Sequence, residues 1–339
     1  PFSKLDFALI PGFTYSGMEY VGAIFYRADK LLLEKEPTEL QLLGRATLIA
    51  HETAHMWFGN LVTMAWFNDV WTKEVFANFM AAKMVNPEFP DIDHPLSFLV
   101  DHYPAAYEVD RSEGANPIRQ ELPNLAEAGQ MYGSIIYHKA PIMMRQLELM
   151  LGEHLFREGI REYLRRYANG NVTWHELIAI LNAKTRSDLI AWSDVWVNSP
   201  GRPIFQVQSD DCEVLAVNQL DPAGSGRVWP QQFEVAAADG SHAPVTLTAA
   251  ASVPWPVEAS PPVSGLLFNS DAMGYGLFPA ELGAMNKFQE LGSLQRGSLL
   301  VNLNENLLAA NRINPVDYLD ALLQVLTVES NALVLGLAL

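Results

Sequence analysis

The chain holds 339 residues, 49% of them apolar and 18% charged, which allows two or three domains with packed cores and excludes wholesale disorder. A formal net charge of −17 excludes broad neutralisation of nucleic-acid phosphates and disfavours anionic membrane surfaces. Cys212 is the sole cysteine, so neither an internal disulfide nor a thiolate zinc site can be built; this fits a soluble protein of a reducing, cytoplasmic compartment and equally of a bacterial periplasm.

Lys4 to Ile10 and Gly22 to Tyr26 read as strands, with Ser16-Gly-Met-Glu-Tyr20 between them. Pro37 opens a long helix on which Leu40, Leu43, Thr47, Ala50 and Ala54 recur at helical spacing, and Gly59-Asn60 stops it. Leu61 to Val70 is a loop or extended piece, and a second helix runs from about Thr72 to Met84. Six prolines between Pro87 and Asn124 predict only partial regularity there. From Tyr132 to Trp196 the pattern is helical, interrupted at Gly152, and Thr173-x-x-Glu176 is a capping box. Ser199-Pro-Gly-Arg-Pro203 marks a boundary. Short alternating strands then run from Ile204 to Phe278, among them Gln231 to Val235 and Val245 to Thr248, and predict a small β-sandwich. After Ala280, Leu299, Leu300, Leu303, Leu307 and Leu308 share one helical stripe. The expected class is α+β, divided into 1–203, 204–279 and 280–339. The apolar run Ala332 to Leu339 is too short to cross a bilayer, and no membrane segment or signal peptide is visible. The chain opens on Pro1 and stops in mid-pattern at Leu339, so both ends read as cuts in a longer protein.

The most specific feature is His51-Glu-Thr-Ala-His55, on the continuation of the first long helix. Two imidazoles four residues apart lie about 40° apart around a helix of ~3.6 residues per turn, so they can grip one ion, with Glu52 beside them as a general base. Tetrahedral zinc needs a third protein ligand and one position left for water. Glu74 leads; it follows His55 after 18 residues, on the next helix, and an antiparallel helix pair would bring it back to the histidines. His102, His94 and Asp69 are alternatives. Trp57, Phe58, Trp66 and Trp71 around the motif imply a buried setting, and Asn68 and Asp69 are candidates to orient the imidazoles.

With these motifs, the chain resembles the aminopeptidase N family of gluzincin zinc peptidases. The resemblance rests on H-E-T-A-H, 18 residues, then Glu74, with Gly17-Met18-Glu19 upstream. It extends through Trp66-Phe-Asn-Asp-Val-Trp71, Tyr137-His-Lys139, Trp196-Val-Asn-Ser-Pro-Gly201 and Phe268-Asn-Ser-Asp-Ala-Met-Gly-Tyr275. It implies a thermolysin-like catalytic domain, then the β-sandwich, then the opening of an incomplete helical domain. It also implies one zinc ion held by His51, His55 and Glu74, a zinc-activated water with Glu52 as general base, and Tyr137 as donor to the tetrahedral oxyanion. Glu19 would receive the α-amino group of peptides with a free N-terminus, with Gly17 and Met18 lining the same site. Tyr132 is a further candidate for that pocket.

Several positions depart from the family's usual pattern. Its G-A-M-E-N is Ser16-Gly-Met-Glu-Tyr20 here, Lys73 stands where Asn is common, Val75 replaces Gly, and Ala140 replaces the Gly of the tyrosine motif. Pro141 predicts that Tyr137 precedes a helix. The competing readings keep the metal site but change the reaction to endopeptidase or epoxide hydrolysis, or keep only the fold as a non-catalytic scaffold. An intact Glu52 speaks against the scaffold, which has no physical need of a base. Oligomeric state and the preferred first residue are not written in these motifs.

Overall fold

The computed structural model describes residues 3–127, 133–210, 213–237, 240–256, 265–309 and 312–339. Tyr132 and Cys212 lie outside the described residues. The chain is a mixed structure of small sheets and many helices. It forms two compact units, one of Pro1–Asp93, Arg119–Met144 and Glu153–Arg186, the other of His94–Ile118, Arg145–Gly152 and Ser187–Leu339.

In the first unit, β1 (Asp6–Ile10), β2 (Gly17–Met18) and β3 (Ala23–Arg27) form a sheet in the order β1-β3-β2. β1 runs parallel to β3, and β2 antiparallel to it. Alternation along β3 buries Ile24 and Tyr26 against Met56. A short helix α1 (Ala28–Leu31) leads to α2 (Glu39–Ala54). Thr38 caps α2 in a reciprocal box: its hydroxyl accepts the Gln41 N–H at 3.2 Å, and the Gln41 side chain accepts the Thr38 N–H at 2.8 Å. Past α2 the chain reverses through Gly59, whose φ of 125° suits a residue without Cβ. It enters β4 (Val62–Met64), a 3₁₀ turn (Phe67–Asp69) and α3 (Val70–Val85).

Helix α3 is apolar on more than one face: Val70, Trp71, Val75, Phe76, Ala77 and Ala81 are all buried. It packs on α2, and Phe58 stacks on Phe76 with ring centroids 4.8 Å apart. Residue 51 meets 78, 55 meets 74, and 59 meets 73, so the two helices run antiparallel. The chain re-enters this unit through a π-helical turn (Ile135–Lys139) and the first residues of α5 (Ala140–Leu151). It continues through α6 (Glu153–Arg166), β5 (Gly170–Val172), which pairs in parallel with β4, and α7 (Trp174–Asn182). Thr173 and Glu176 form the expected box at the start of α7.

The second unit begins with α4 (His94–Asp110), a single helix where the prolines predict irregularity. Pro104 sits inside it and forfeits one backbone hydrogen bond. Leu96, Leu99, Tyr103, Ala106 and Tyr107, at helical spacing and all buried, outweigh that loss. After α8 (Leu189–Trp196) come two antiparallel sheets. One orders β10 (Ser252–Pro254), β7 (Glu213–Leu220) and β6 (Ile204–Asp210); the other orders β11 (Leu267–Phe268), β8 (Gln231–Ala236) and β9 (His242–Leu247). Phe205 and Val217 of the first sheet share one core with Phe233, Val245 and Phe268 of the second. A 3₁₀ segment (Leu282–Glu290) and helices α9 (Ser293–Leu308), α10 (Pro315–Val328) and α11 (Ala332–Ala338) follow. Among the described residues, no helix is long and apolar enough to cross a membrane.

The cap of α2 is exposed and lies at the opposite end of the helix from His51 and His55, so it separates helix stability from chemistry. Thr38→Ala is expected to cost about 1 kcal/mol, read as a lower urea midpoint with an unchanged slope. An unchanged midpoint would show that the box contributes nothing.

Candidate active site

His51 lies in the last turn of α2 and His55 is its C-terminal cap residue. Helical spacing therefore carries both rings to the same side, 4.7 Å apart between centroids. The ring nitrogens are sorted by their partners. His51 Nδ1 donates to the Asn78 side-chain oxygen at 2.8 Å, and His55 Nδ1 donates to the Phe58 carbonyl at 3.0 Å. A carbonyl can only accept, so each Nδ1 carries a proton, and in its neutral form each ring turns a lone pair outward on Nε2. The two Nε2 atoms are 3.1 Å apart. Glu74, in the second turn of α3, sets a carboxylate oxygen 3.7 Å from His51 Nε2 and 3.9 Å from His55 Nε2. Both separations exceed a hydrogen bond and leave room between the three atoms.

Two imidazole Nε2 atoms and a carboxylate oxygen converging on one point suit a shared cation. Donors bound at ~2.1 Å to one tetrahedral ion would stand roughly 3.4 Å apart, and the observed triangle brackets that spacing. Two imidazoles and a carboxylate, with no sulfur, are also the donor types that zinc accepts at a catalytic centre. The donor set fits a zinc ion. Among the described residues, the groups close enough to share an ion are His51, Glu52 and His55, and Glu19, His55 and Glu74. Of the alternative third ligands, Asp69 is paired with Arg119 at 2.7 Å. His94 and His102 belong to the second unit.

Glu52 points between the helix and β2. A Cβ on Gly17 would fall 2.1 Å from its Oε1, so the glycine leaves the space that the carboxylate fills. Its Oε2 is buried and makes no hydrogen bond to the protein. Burial pushes the Glu52 carboxyl up to about 7, with His51 opposing and the charges of Glu19 and Glu74 reinforcing the rise. Burial also works against Glu74, yet the facing His51 and the Lys73 ammonium hold it down to about 2. Burial disfavours the His51 cation, but Glu74 and Glu52 outweigh that and raise it; burial and His51 together lower His55. One carboxyl thus exchanges protons near neutrality while its neighbour stays ionised.

Glu19 follows β2 directly, and Asn60 donates to its backbone carbonyl at 2.8 Å. Its side chain is paired with Lys73 Nζ at 2.5 Å. Burial opposes the Glu19 charge, but His55 and Lys73 keep the carboxyl below its ordinary range. Tyr137 lies in the π-helical turn. Gly17, Met18, Glu19, His51, Glu52, His55, Glu74 and Tyr137 all line one cavity of about 840 Å³. Lys73 and Asn78 line it too.

Some expectations need correction. Pro141 lies in the first turn of α5 and Tyr137 precedes that helix, but in a π-helical turn that runs straight into it and not in a loop. The Ala140 N–H reaches back to the Ile135 carbonyl, and Pro141 has no N–H to offer in the α register, so the prolyl ring favours the wider turn. Asn68 and Asp69 do not orient the imidazoles; Asn68 accepts the Leu122 N–H at 2.7 Å, and Asp69 holds Arg119. Asn78 and the Phe58 carbonyl take that role. Asn78 was legible only as a residue one turn beyond Glu74, a spacing that any helix provides. Of the four aromatics around the motif, Phe58 and Trp71 are buried, but Trp57 and Trp66 are exposed at 39% and 44%. Tyr20 faces solvent against Phe25, away from the cavity lining.

The family described as the Peptidase family M1 domain matches residues 1–196. Among curated relatives, the puromycin-sensitive aminopeptidase of Caenorhabditis elegans is 34% identical over 223 residues, covering 65% of this chain and 24% of the relative. The leucyl aminopeptidase of Saccharolobus solfataricus is 33% identical over 204 residues, 60% of this chain and 26% of the relative. The aminopeptidase N of Streptomyces lividans is 31% identical over 253 residues, 70% and 29% respectively. The chain spans about a quarter of the length of these relatives.

Asn78→Ala removes the acceptor that fixes the His51 tautomer, and zinc affinity is expected to fall about 10- to 100-fold in a chelator competition; unchanged affinity would deny Asn78 that role. For the metal-free protein, the raised Glu52 favours the protonated native state, so stability drops as pH climbs from the ordinary carboxylate range through about 7. Glu52→Gln cannot ionise. It should therefore be more stable than the parent at pH 8 and gain nothing at pH 4, by denaturant unfolding. An equal gain at both pH values would contradict the burial argument.

Proposed function

The chain belongs to peptidase family M1, and we propose on that premise that it carries the catalytic machinery of a zinc-dependent aminopeptidase acting on peptides with a free N-terminus. The single observation that carries this reading is the convergence of His51, His55 and Glu74, a Glu52 oxygen without a protein partner and a further carboxylate in one cavity. The fold reading is a thermolysin-like domain over 1–203, a β-sandwich over 204–279 and the start of a helical domain over 280–339.

His51, His55 and Glu74 would hold the ion. When bound, zinc supplies a Lewis acid for the scissile carbonyl and acidifies water at neutral pH. The other steps belong to the chain. Glu52, with one oxygen free of protein partners, takes the proton of the attacking water. The water oxygen bonds to the carbonyl carbon, and the phenol of Tyr137 donates to the oxygen that gains charge. As the C–N bond breaks, Glu52 returns its proton to the departing amine. Glu19 receives the substrate's α-ammonium, which limits cleavage to the first residue, and Met18 lines the space for that residue's side chain.

The test compares zinc content and hydrolysis of free and N-acetylated peptides for the parent and Glu52→Gln. The proposal expects zinc in both proteins, and turnover about 10³-fold or more lower in the variant. A variant that binds zinc and matches the parent's turnover would overturn the assignment of Glu52.

A further inference from the structure

The amine-recognition carboxylate is already engaged. Lys73 Nζ lies 2.5 Å from Glu19 Oε1 and 3.2 Å from Glu74 Oε1. Both partners are largely withdrawn from solvent, the Lys73 side chain at 17% and that of Glu19 at 15%. The lysine is not a loose surface group that happened to fold inward. Its stem lies along the turn after α2, where a Cβ on Gly59 would come 3.4 Å from its Cδ. The next residue of that turn, Asn60, holds the Glu19 carbonyl. One turn therefore packs the cation and holds the backbone of the residue whose carboxylate it meets. The sequence places Lys73 where the family's usual residue is an uncharged amide, so the charge is a property of this chain.

The consequence is electrostatic. An α-ammonium approaching Glu19 meets a carboxylate whose negative charge is matched by an adjacent ammonium, and two like charges in a partly desolvated cavity repel. A peptide with no cationic N-terminus meets no such competition. We propose that Lys73 is a specificity-determining residue, an internal ammonium that engages the amine-recognition carboxylate of Glu19, so that a free N-terminus competes with it and is preferred less strongly over a neutral one. This rests on the reading of Glu19 as the amine-recognition group given above.

The test is binding, separate from turnover. Dissociation constants of Leu-Gly-Gly and N-acetyl-Leu-Gly-Gly are measured by calorimetry on the metal-free chain, for the parent, Lys73→Met and Lys73→Gln. The preference for the free peptide is expected to rise about tenfold in both variants. Glu19→Gln combined with Lys73→Met should abolish the gain. A preference that is unchanged or lower in both lysine variants would overturn the proposal, as would failure of the free peptide to bind either variant. The two readings fail separately. If the zinc-loaded chain hydrolyses neither peptide while the binding preference still follows Lys73, the peptidase reading fails and the lysine's role stands. If hydrolysis occurs and the preference ignores Lys73, the reverse holds.

Discussion

The first unit is organised around two imidazoles and a carboxylate brought to the spacing that one cation would bridge. Two imidazoles, each with its Nδ1 proton committed to an oxygen on the far side of the ring, direct their Nε2 atoms at one another across 3.1 Å. Nothing in α2 alone would hold them there. The packing of α3 supplies the acceptor for one ring and the carboxylate that closes the triangle, and the turn at Phe58–Asn60 supplies the acceptor for the other. The buried apolar residues of α3 fix its register, so the spacing of the donors is set by hydrophobic packing and not by the donors themselves.

Three carboxylates share that cavity and each is held in a different state by what touches it. Glu74 is surrounded by positive and protonated groups and stays charged. Glu52 lies against a glycine strand with one oxygen unsatisfied, and burial favours its proton. Glu19 is matched by Lys73. Identical side chains are thus held in three electrostatic states, which the proposed reading uses as ligand, base and recognition group, and the difference is local dielectric and neighbours.

The parts of this arrangement that were legible in the sequence are those with short-range rules. Helical spacing puts His51 and His55 together, and the capping box at Thr173 marks its helix. The distance from His55 to Glu74 becomes meaningful once the two helices are seen to be antiparallel. What was not legible depends on chain segments far apart. Lys73 and Glu19 are 54 positions apart, and no periodicity links them. The strands β4 and β5 are three residues each and pair across more than a hundred positions, too short to announce themselves. Helix α4 was hidden by Pro104, because local propensity counts the lost hydrogen bond and cannot count the burial that offsets it. The π turn at Tyr137 is likewise a compromise between Pro141 and the helix that follows it.

The most direct measurement of the central claim is a crystal structure of the zinc-loaded chain with anomalous data collected on both sides of the zinc absorption edge. The account predicts one zinc peak bonded to the Nε2 atoms of His51 and His55 and to a carboxylate oxygen of Glu74, with Glu52 close by but not coordinated. A zinc peak elsewhere, or a centre from which Glu74 is turned away, would contradict it.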